Sequence, residues 1–300
     1  MQIYLTTVLI TMSNILVTGS GGQLGSEIKE ISGAYEYNFF FTDRNSLDIT
    51  NKNAVENFCL EKCIDVIVNG AAYTAVDNAE DDLVNADAIN HLAVKNMAKI
   101  AKENDIKLIQ ISTDYVFDGE NHKPYTESDT TNPQSIYGKT KLDGEKAMQE
   151  INPSNSIIVR TSWSYSSFGA NFVKTMLKLG RKKGELGVIF DQIGTPTYTR
   201  DLAEALLKIL KNESLNLNNN VEIYNFSNEG LCSWYDFAKS IFELSGIDCK
   251  VNPIETKDFH TPAKRPHYSL LNKSKIKKKF KITIPYWRDS LKIALQKIDE

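Results

Sequence analysis

Residues 15–25 run Ile15-Leu16-Val17-Thr18-Gly19-Ser20-Gly21-Gly22-Gln23-Leu24-Gly25. An apolar, β-prone run leads into a glycine cluster, and a helical pattern follows from Gln23 to Ile31. Gly19, Gly22 and Gly25 fall three apart, as G-x-x-G-x-x-G. Glycine lets the backbone turn tightly and approach a pyrophosphate closely. The helix start beyond it offers free N–H groups and the positive end of a dipole to that anion. Glycine also serves plain turns, so the weight rests on its place between a strand and a helix.

The same alternation continues outward. Residues 38–42, 65–69, 107–112 and 156–160 are short β-rich runs. Between them lie helical patterns at 86–102 and 135–150, and one from Thr50, as its cap, to about Glu61. Strands alternating with helices predict a parallel sheet covered on both faces. Runs that are apolar on both sides fit that burial. The expected fold is α/β: a doubly wound Rossmann-type parallel sheet with helices on both faces and a smaller C-terminal substrate-binding lobe. The expected division is an N-terminal extension over 1–12, a dinucleotide-binding domain over 13–165, and a lobe over 166–300 with some segments returning to the main sheet. Within the last part, 171–179, 200–210 and 233–244 predict helices and 221–226 a strand.

Composition bounds the function. The chain has 300 residues, 41% hydrophobic and 24% charged, with Lys+Arg 35 against Asp+Glu 38. That balance is globular, and it lacks the basic excess of a protein that binds nucleic acid through phosphates. The six lysines of residues 273–281 are expected to form a solvated face. Cys59, Cys63, Cys232 and Cys249 are too few and too scattered for a disulfide framework. Four reduced thiols in a cytoplasmic protein are the expectation. The apolar start before Met12 is too short to span a bilayer, so no membrane role is expected.

A second constellation carries the chemistry. Ser112-Thr113-Asp114-Tyr115 closes the fourth strand run, and Tyr137-Gly138-Lys139-Thr140-Lys141 opens the next helix. Ligands bind beyond the strand C-termini of an open parallel sheet. Tyr137 and Lys141 are four apart and so share one helix face. A lysine cation beside a tyrosine lowers the phenol pKa, and such a phenol can protonate a carbonyl oxygen. Thr113 would hydrogen-bond the same oxygen. Asp43, at the end of the second strand, is placed for the adenosine ribose of a dinucleotide. Arg44 beside it would pair with a 2′-phosphate, so both NADPH and NADH remain candidates.

These motifs resemble the extended short-chain dehydrogenase/reductases, and among them the dTDP-4-dehydrorhamnose reductase family. The resemblance runs from Ile15 onward: Val17-Thr18-Gly19 with Gly22 to Gly25, Ala71-Ala72-Tyr73-Thr74-Ala75-Val76-Asp77, Ser112 to Asp118, Tyr137 to Lys141, Arg160-Thr161-Ser162-Trp163, Asn171-Phe172 and Arg265-Pro266. It implies a cofactor site of Gly19, Gly22, Gln23, Leu24 and Gly25 at the diphosphate and Asp43 and Arg44 at the adenosine ribose. Asp48 and Ile49 would lie near the adenine, and Ala71, Ala72, Tyr73 and Thr74 near the nicotinamide half. Tyr137 would donate the proton, and Lys141 would hold the nicotinamide ribose. Val76, Thr113, Asp114, Tyr115, Trp163, Asn171 and Arg265 would face a dTDP-sugar. The implied reaction is reduction of the C4 ketone by NADPH or NADH, in a monomer or homodimer.

The family leaves other activities in view. A 4,6-dehydratase carries Asp-Glu after the threonine, whereas Tyr115 follows Asp114 here. A bifunctional epimerase/reductase needs further acid/base groups near Thr113, and no Cys or Lys stands there. Another reductase of 4-keto-6-deoxysugar nucleotides, or a non-catalytic binding subunit of the same fold, remains an alternative. Some family members form a dimer bridged by magnesium through acidic side chains. Glu27 matches one such position, but Arg200 stands where another carboxylate is expected. No structural metal is therefore expected.

Overall fold

The computed structural model describes residues 12–211 and 220–299. All but the last residue of the expected N-terminal extension lies outside the described residues. Six strands form the main sheet: β1 (Asn14–Thr18), β2 (Asn38–Thr42), β3 (Val66–Asn69), β4 (Lys107–Thr113), β5 (Ile157–Thr161) and β6 (Glu222–Asn225). Their order is β6-β5-β4-β3-β1-β2, and every neighbouring pair is parallel. This is the doubly wound arrangement that the alternation predicts. From β1 the chain winds first to β2 on one side, then to β3 on the other, so a crevice opens between the ends of β1 and β3.

Both faces of the sheet are covered because alternate strand residues point to opposite sides. Ile15 and Val17 pack on one face with α1 (Gln23–Ile31) and α6 (Thr199–Lys211). Leu16 packs on the other with α2 (Lys52–Glu61), α3 (Ala93–Glu103) and α4 (Ile136–Ile151). A separate apolar cluster around Tyr165, Val173, Phe237 and Trp287 joins α5 (Phe172–Gly180), α7 (Trp234–Leu244) and α9 (Trp287–Asp299). Ser233 and Asp236 form a capping box at the start of α7, each satisfying a backbone N–H that the helix leaves free.

Three local expectations are revised. The cap of α2 is Asn51, whose side chain accepts from the Ala54 N–H, while Thr50 is drawn to the Asp48 carboxylate. The stretch expected as one helix over 86–102 is broken into Leu83–Asp87, a π-helical turn Ala88–Leu92, and α3. The wide turn lies where α4 presses closest: a Cβ on Gly144 would meet the Asn90 carbonyl oxygen at 2.2 Å. The lysine-rich face is partly tied down. On α8 (Ser274–Phe280) Lys277 pairs with Glu229 and Lys275 with Glu222, and buried Lys273 also faces Glu229. Among the described residues no helix is long and apolar enough to cross a membrane.

Candidate active site

A cleft of about 1070 Å³ lies over the C-terminal ends of the strands, walled by α1, α4 and the segment after β5. Its volume exceeds that of an ordinary single small-molecule pocket. At one end sits the glycine loop. Gly19 is left-handed, with φ +67°, and a Cβ there would meet the Ala71 amide nitrogen at 2.8 Å. Only glycine fits that turn. Gly22 caps α1 without a side chain, so the first N–H groups of the helix face the cleft uncovered. Gly25 does not line the cleft. Its Cβ would lie 2.5 Å from Ser20 Cα, so it serves the close packing of helix on loop instead.

Gln23, Leu24, Asp43, Arg44, Asp48 and Ile49 line the same end. Asp43 Oδ1 accepts from the Asn45 and Ser46 N–H groups and from the Ser46 hydroxyl. Those bonds hold its pKa below the usual carboxylate range and fix the turn that carries it. Ala71, Ala72, Tyr73, Thr74 and Val76 form the middle wall. Asn90 braces it, accepting from the Tyr73 N–H and donating to the Tyr73 carbonyl and to Thr140 on α4. A buried chain of side chains supports the floor: Thr18 donates to Asn69, and Asn69 donates to Gln110. The residues present thus fit a dinucleotide.

Thr113, Asp114, Tyr115, Tyr137, Lys141 and Trp163 meet at the other end. The Tyr115 and Tyr137 rings make an edge contact at 5.5 Å. Burial pushes the Tyr137 phenol up to about 12, against the pull of the neighbouring Thr113 hydroxyl. The lowering expected from Lys141 is not among the influences on this phenol. The Lys141 ammonium donates to the Ile111 carbonyl at 2.6 Å, and burial brings its pKa down to about 8. Tyr137 therefore keeps its proton at neutral pH, the state a proton donor needs. Asp114 is buried, and that burial raises it to about 7 although the Ser269 and Thr113 hydroxyls oppose the shift. Its Oδ2 has no hydrogen-bond partner.

Trp163 holds a left-handed backbone, φ 45°, which is strained for a bulky residue. Its ring stacks on Trp234 with centroids 3.6 Å apart, and Trp234 contacts Phe172 in turn. The strain is thereby held by packing, and one half-buried indole is set at the cleft wall.

Two expected ligand contacts lie elsewhere. Asn171 caps α5 through its carbonyl, and its amide donates to the Gln23 side chain and the Ser166 carbonyl. Arg265 is committed to a bidentate pair with Asp77, at 2.7 and 3.0 Å. Neither lines the cleft. The sequence reading also missed wall residues Asn85, Ala88 and Ile89, and Gly169, Ala170 and Thr199 from later segments. Gly169 alone left a signal, being a glycine with φ +65° beside Gln23.

The magnesium position does not fit a cation. Glu27 is fully buried and accepts from Ser166 at 2.6 Å, with Arg200 at 3.4 Å and Lys297 at 3.6 Å. Two side-chain cations already stand against that carboxylate. Among the described residues no group of three His, Cys, Asp or Glu side chains is set to hold a metal ion.

A family model described as the RmlD substrate binding domain matches residues 12–300. The chain belongs to that family. Within the RmlD family it is 40% identical to the dTDP-4-dehydrorhamnose reductase of Aggregatibacter actinomycetemcomitans, over 94% of this chain and 98% of that protein. Among solved structures it is similar to a dTDP-4-dehydrorhamnose reductase from Clostridium acetobutylicum, with TM-score 0.89, 45% identity, and 96% of this chain and 100% of that chain covered. A dTDP-4-dehydrorhamnose reductase from Bacillus anthracis in complex with NADP matches with TM-score 0.90 and 36% identity, covering 95% of this chain and 99% of that one. This RmlD-family chain therefore has the fold and length of those reductases.

Proposed function

We propose that this protein reduces the C4 ketone of dTDP-4-dehydro-6-deoxy-L-mannose to dTDP-L-rhamnose, with NADPH or NADH as the reductant. The observation that carries the reading is the convergence of an open glycine loop with Thr113, Tyr137 and Lys141 in one cleft. Gln23 and Leu24 at the start of α1 offer backbone N–H groups to the diphosphate, and Asp43 and Arg44 bracket the adenosine ribose. Bound dinucleotide supplies the hydride. Tyr137 gives its proton to the carbonyl oxygen, and Thr113 steadies that oxygen by a hydrogen bond. Lys141, as a cation, favours the phenolate that Tyr137 leaves. Trp163 and Val76 offer apolar surface to the sugar nucleotide. We further infer a cytoplasmic enzyme working as a monomer or homodimer.

A coupled assay tests the reaction. Glucose-1-phosphate and dTTP are carried through nucleotidyltransferase, 4,6-dehydratase and 3,5-epimerase, and this protein is added with NADPH. Oxidation that requires the epimerase and yields dTDP-rhamnose is the expected result. Oxidation without the epimerase assigns the protein to another 4-keto sugar or to a bifunctional reaction. Dinucleotide binding without oxidation assigns it to the binding-subunit class.

A further inference from the structure

One turn beyond Lys141 on the same face of α4 lies a buried ion pair that the reaction above does not use. Glu145 is 1% exposed and Arg160 2%. Arg160 Nε donates to Glu145 Oε1 at 2.9 Å, and its Nη2 donates to Oε2 at 2.6 Å. The guanidinium lies 5.0 Å from the Phe117 ring centroid, and its Nη1 has no hydrogen-bond partner. Taking two such charges out of water costs several kcal/mol each, and well-packed apolar residues of similar volume are often no worse. An incompletely satisfied pair at this depth is poorly explained by stability alone. Its place explains it better. Tyr137, Lys141 and Glu145 form a ladder at i, i+4 and i+8 along one helix face. Arg160 reaches in from β5, directly beside Ser112 of β4.

We propose that Glu145, clamped by Arg160, is a positioning residue that keeps the Lys141 ammonium charged beneath Tyr137. The proposal rests on Lys141 being the active-site cation. Lys141 is 4% exposed, and among the described residues its one hydrogen-bond partner is the neutral Ile111 carbonyl. Burial in such a setting favours loss of the proton. The carboxylate of Glu145 opposes that loss. The other titratable or charged groups facing this region are Tyr137 on α4, Asp114 and Tyr115 after β4, Arg160 on β5, and Glu80 at the first turn of α4. His91 of the π-helical turn lies against α4 at Gly144 and is paired with Asp87; Glu80 accepts from the Ile136 N–H. Asp114 holds its proton up to about 7, and Arg160 is spent on Glu145. Glu145 is the carboxylate one turn from Lys141 on the face of α4 that Lys141 occupies. Without the Arg160 clamp its side chain would be free to turn, and the field at Lys141 would no longer be fixed.

The pH dependence of kcat tests this. In Glu145→Gln the alkaline limb should begin at lower pH. Turnover should stay near the parent at pH 6 and fall roughly fivefold to tenfold below it at pH 8.5, as expected for a lysine pKa lowered by about one unit. Glu145→Asp, which keeps the charge, should return the limb toward the parent. If Glu145→Gln does not fold, the double variant Glu145→Gln with Arg160→Met removes the pair without stranding a charge, and its alkaline limb should move the same way by a smaller amount, because the opposing Arg160 cation goes with the carboxylate. Parallel profiles with only a lower Tm would make the pair a structural brace and overturn the proposal. Lys141→Met separates the two readings. Parental turnover in that variant overturns the active-site assignment and this proposal together. Its loss, beside an unmoved profile in Glu145→Gln, overturns this proposal alone.

Discussion

At the scale of single residues, the division of labour in the cleft rests on two aromatic side chains with different support. Tyr137 is enclosed, its phenol pushed up to about 12, and its edge rests on Tyr115. The proposed role of its hydroxyl is to give a proton, so Tyr137→Phe should leave folding and dinucleotide binding intact. Loss of a general acid commonly costs ~10²–10⁴-fold in rate, and kcat in the coupled assay should fall by that order. A parental kcat would remove Tyr137 from the reaction. Trp163 is anchored from behind by Trp234 and strained at its own backbone, an arrangement that spends stability to present one indole face. Trp163→Ala should therefore raise KM for the sugar nucleotide about tenfold while the NADPH Kd moves by less than twofold, by the worth of one aromatic contact. Equal loss of both affinities would make Trp163 a packing residue.

At the scale of elements, α4 is placed by what its glycines permit. A Cβ on Gly138 would lie 2.3 Å from the Tyr115 carbonyl oxygen, and one on Gly144 would strike Asn90. The helix carrying Tyr137 and Lys141 thus runs in backbone contact with the turn carrying Thr113 and Asp114. In a free helix, Gly→Ala would be worth about 1 kcal/mol of added stability. Here Gly138→Ala should do the reverse, lowering Tm and shifting Tyr137 from Thr113. A misplacement of about 1 Å can cost 10²-fold in rate, and a kcat loss of that order should accompany the lower Tm. A higher Tm with unchanged kcat would show that the helix has room. This contact also explains what was legible in the sequence. The glycine loop, the Tyr137–Lys141 spacing and the strand runs are local patterns, and their elements lie where local chemistry puts them. The bonds that hold Asn171 and Arg265 off the cleft wall were not legible, because their partners, Gln23 and Asp77, are 148 and 188 residues away in sequence. The π-helical turn escaped notice for the same reason, since α4 imposes it from 54 positions along the chain.

At the scale of the whole molecule, distant segments of the chain meet at the strand ends, and Asp114 records that meeting. Its carboxyl sits at the end of β4, yet Ser269, from far along the chain, lies beside it and leaves it 2% exposed. Burial raises its pKa to about 7, whereas an unfolded aspartate titrates near ~3.9. Between about pH 4 and pH 7 the folded protein therefore holds a proton that the unfolded chain has released. By linkage, stability must fall as pH rises through that window, at up to about 1.4 kcal/mol for each pH unit. Asp77 works in the opposite sense. The Arg265 hydrogen bonds hold it below the usual carboxylate range, so its contribution is lost on acidification and is complete only above about pH 5. The parent alone gives only the sum of such groups, and the comparison with Asp114→Asn isolates the one of interest. Urea unfolding of both proteins from pH 4.5 to 7.5 should show the variant gaining on the parent steadily as pH rises, by a few kcal/mol in all. A difference that stays constant with pH would mean that water reaches Asp114 and that the lobe does not seal the strand ends. A gain confined to this window would show that the native fold keeps this carboxyl buried and protonated.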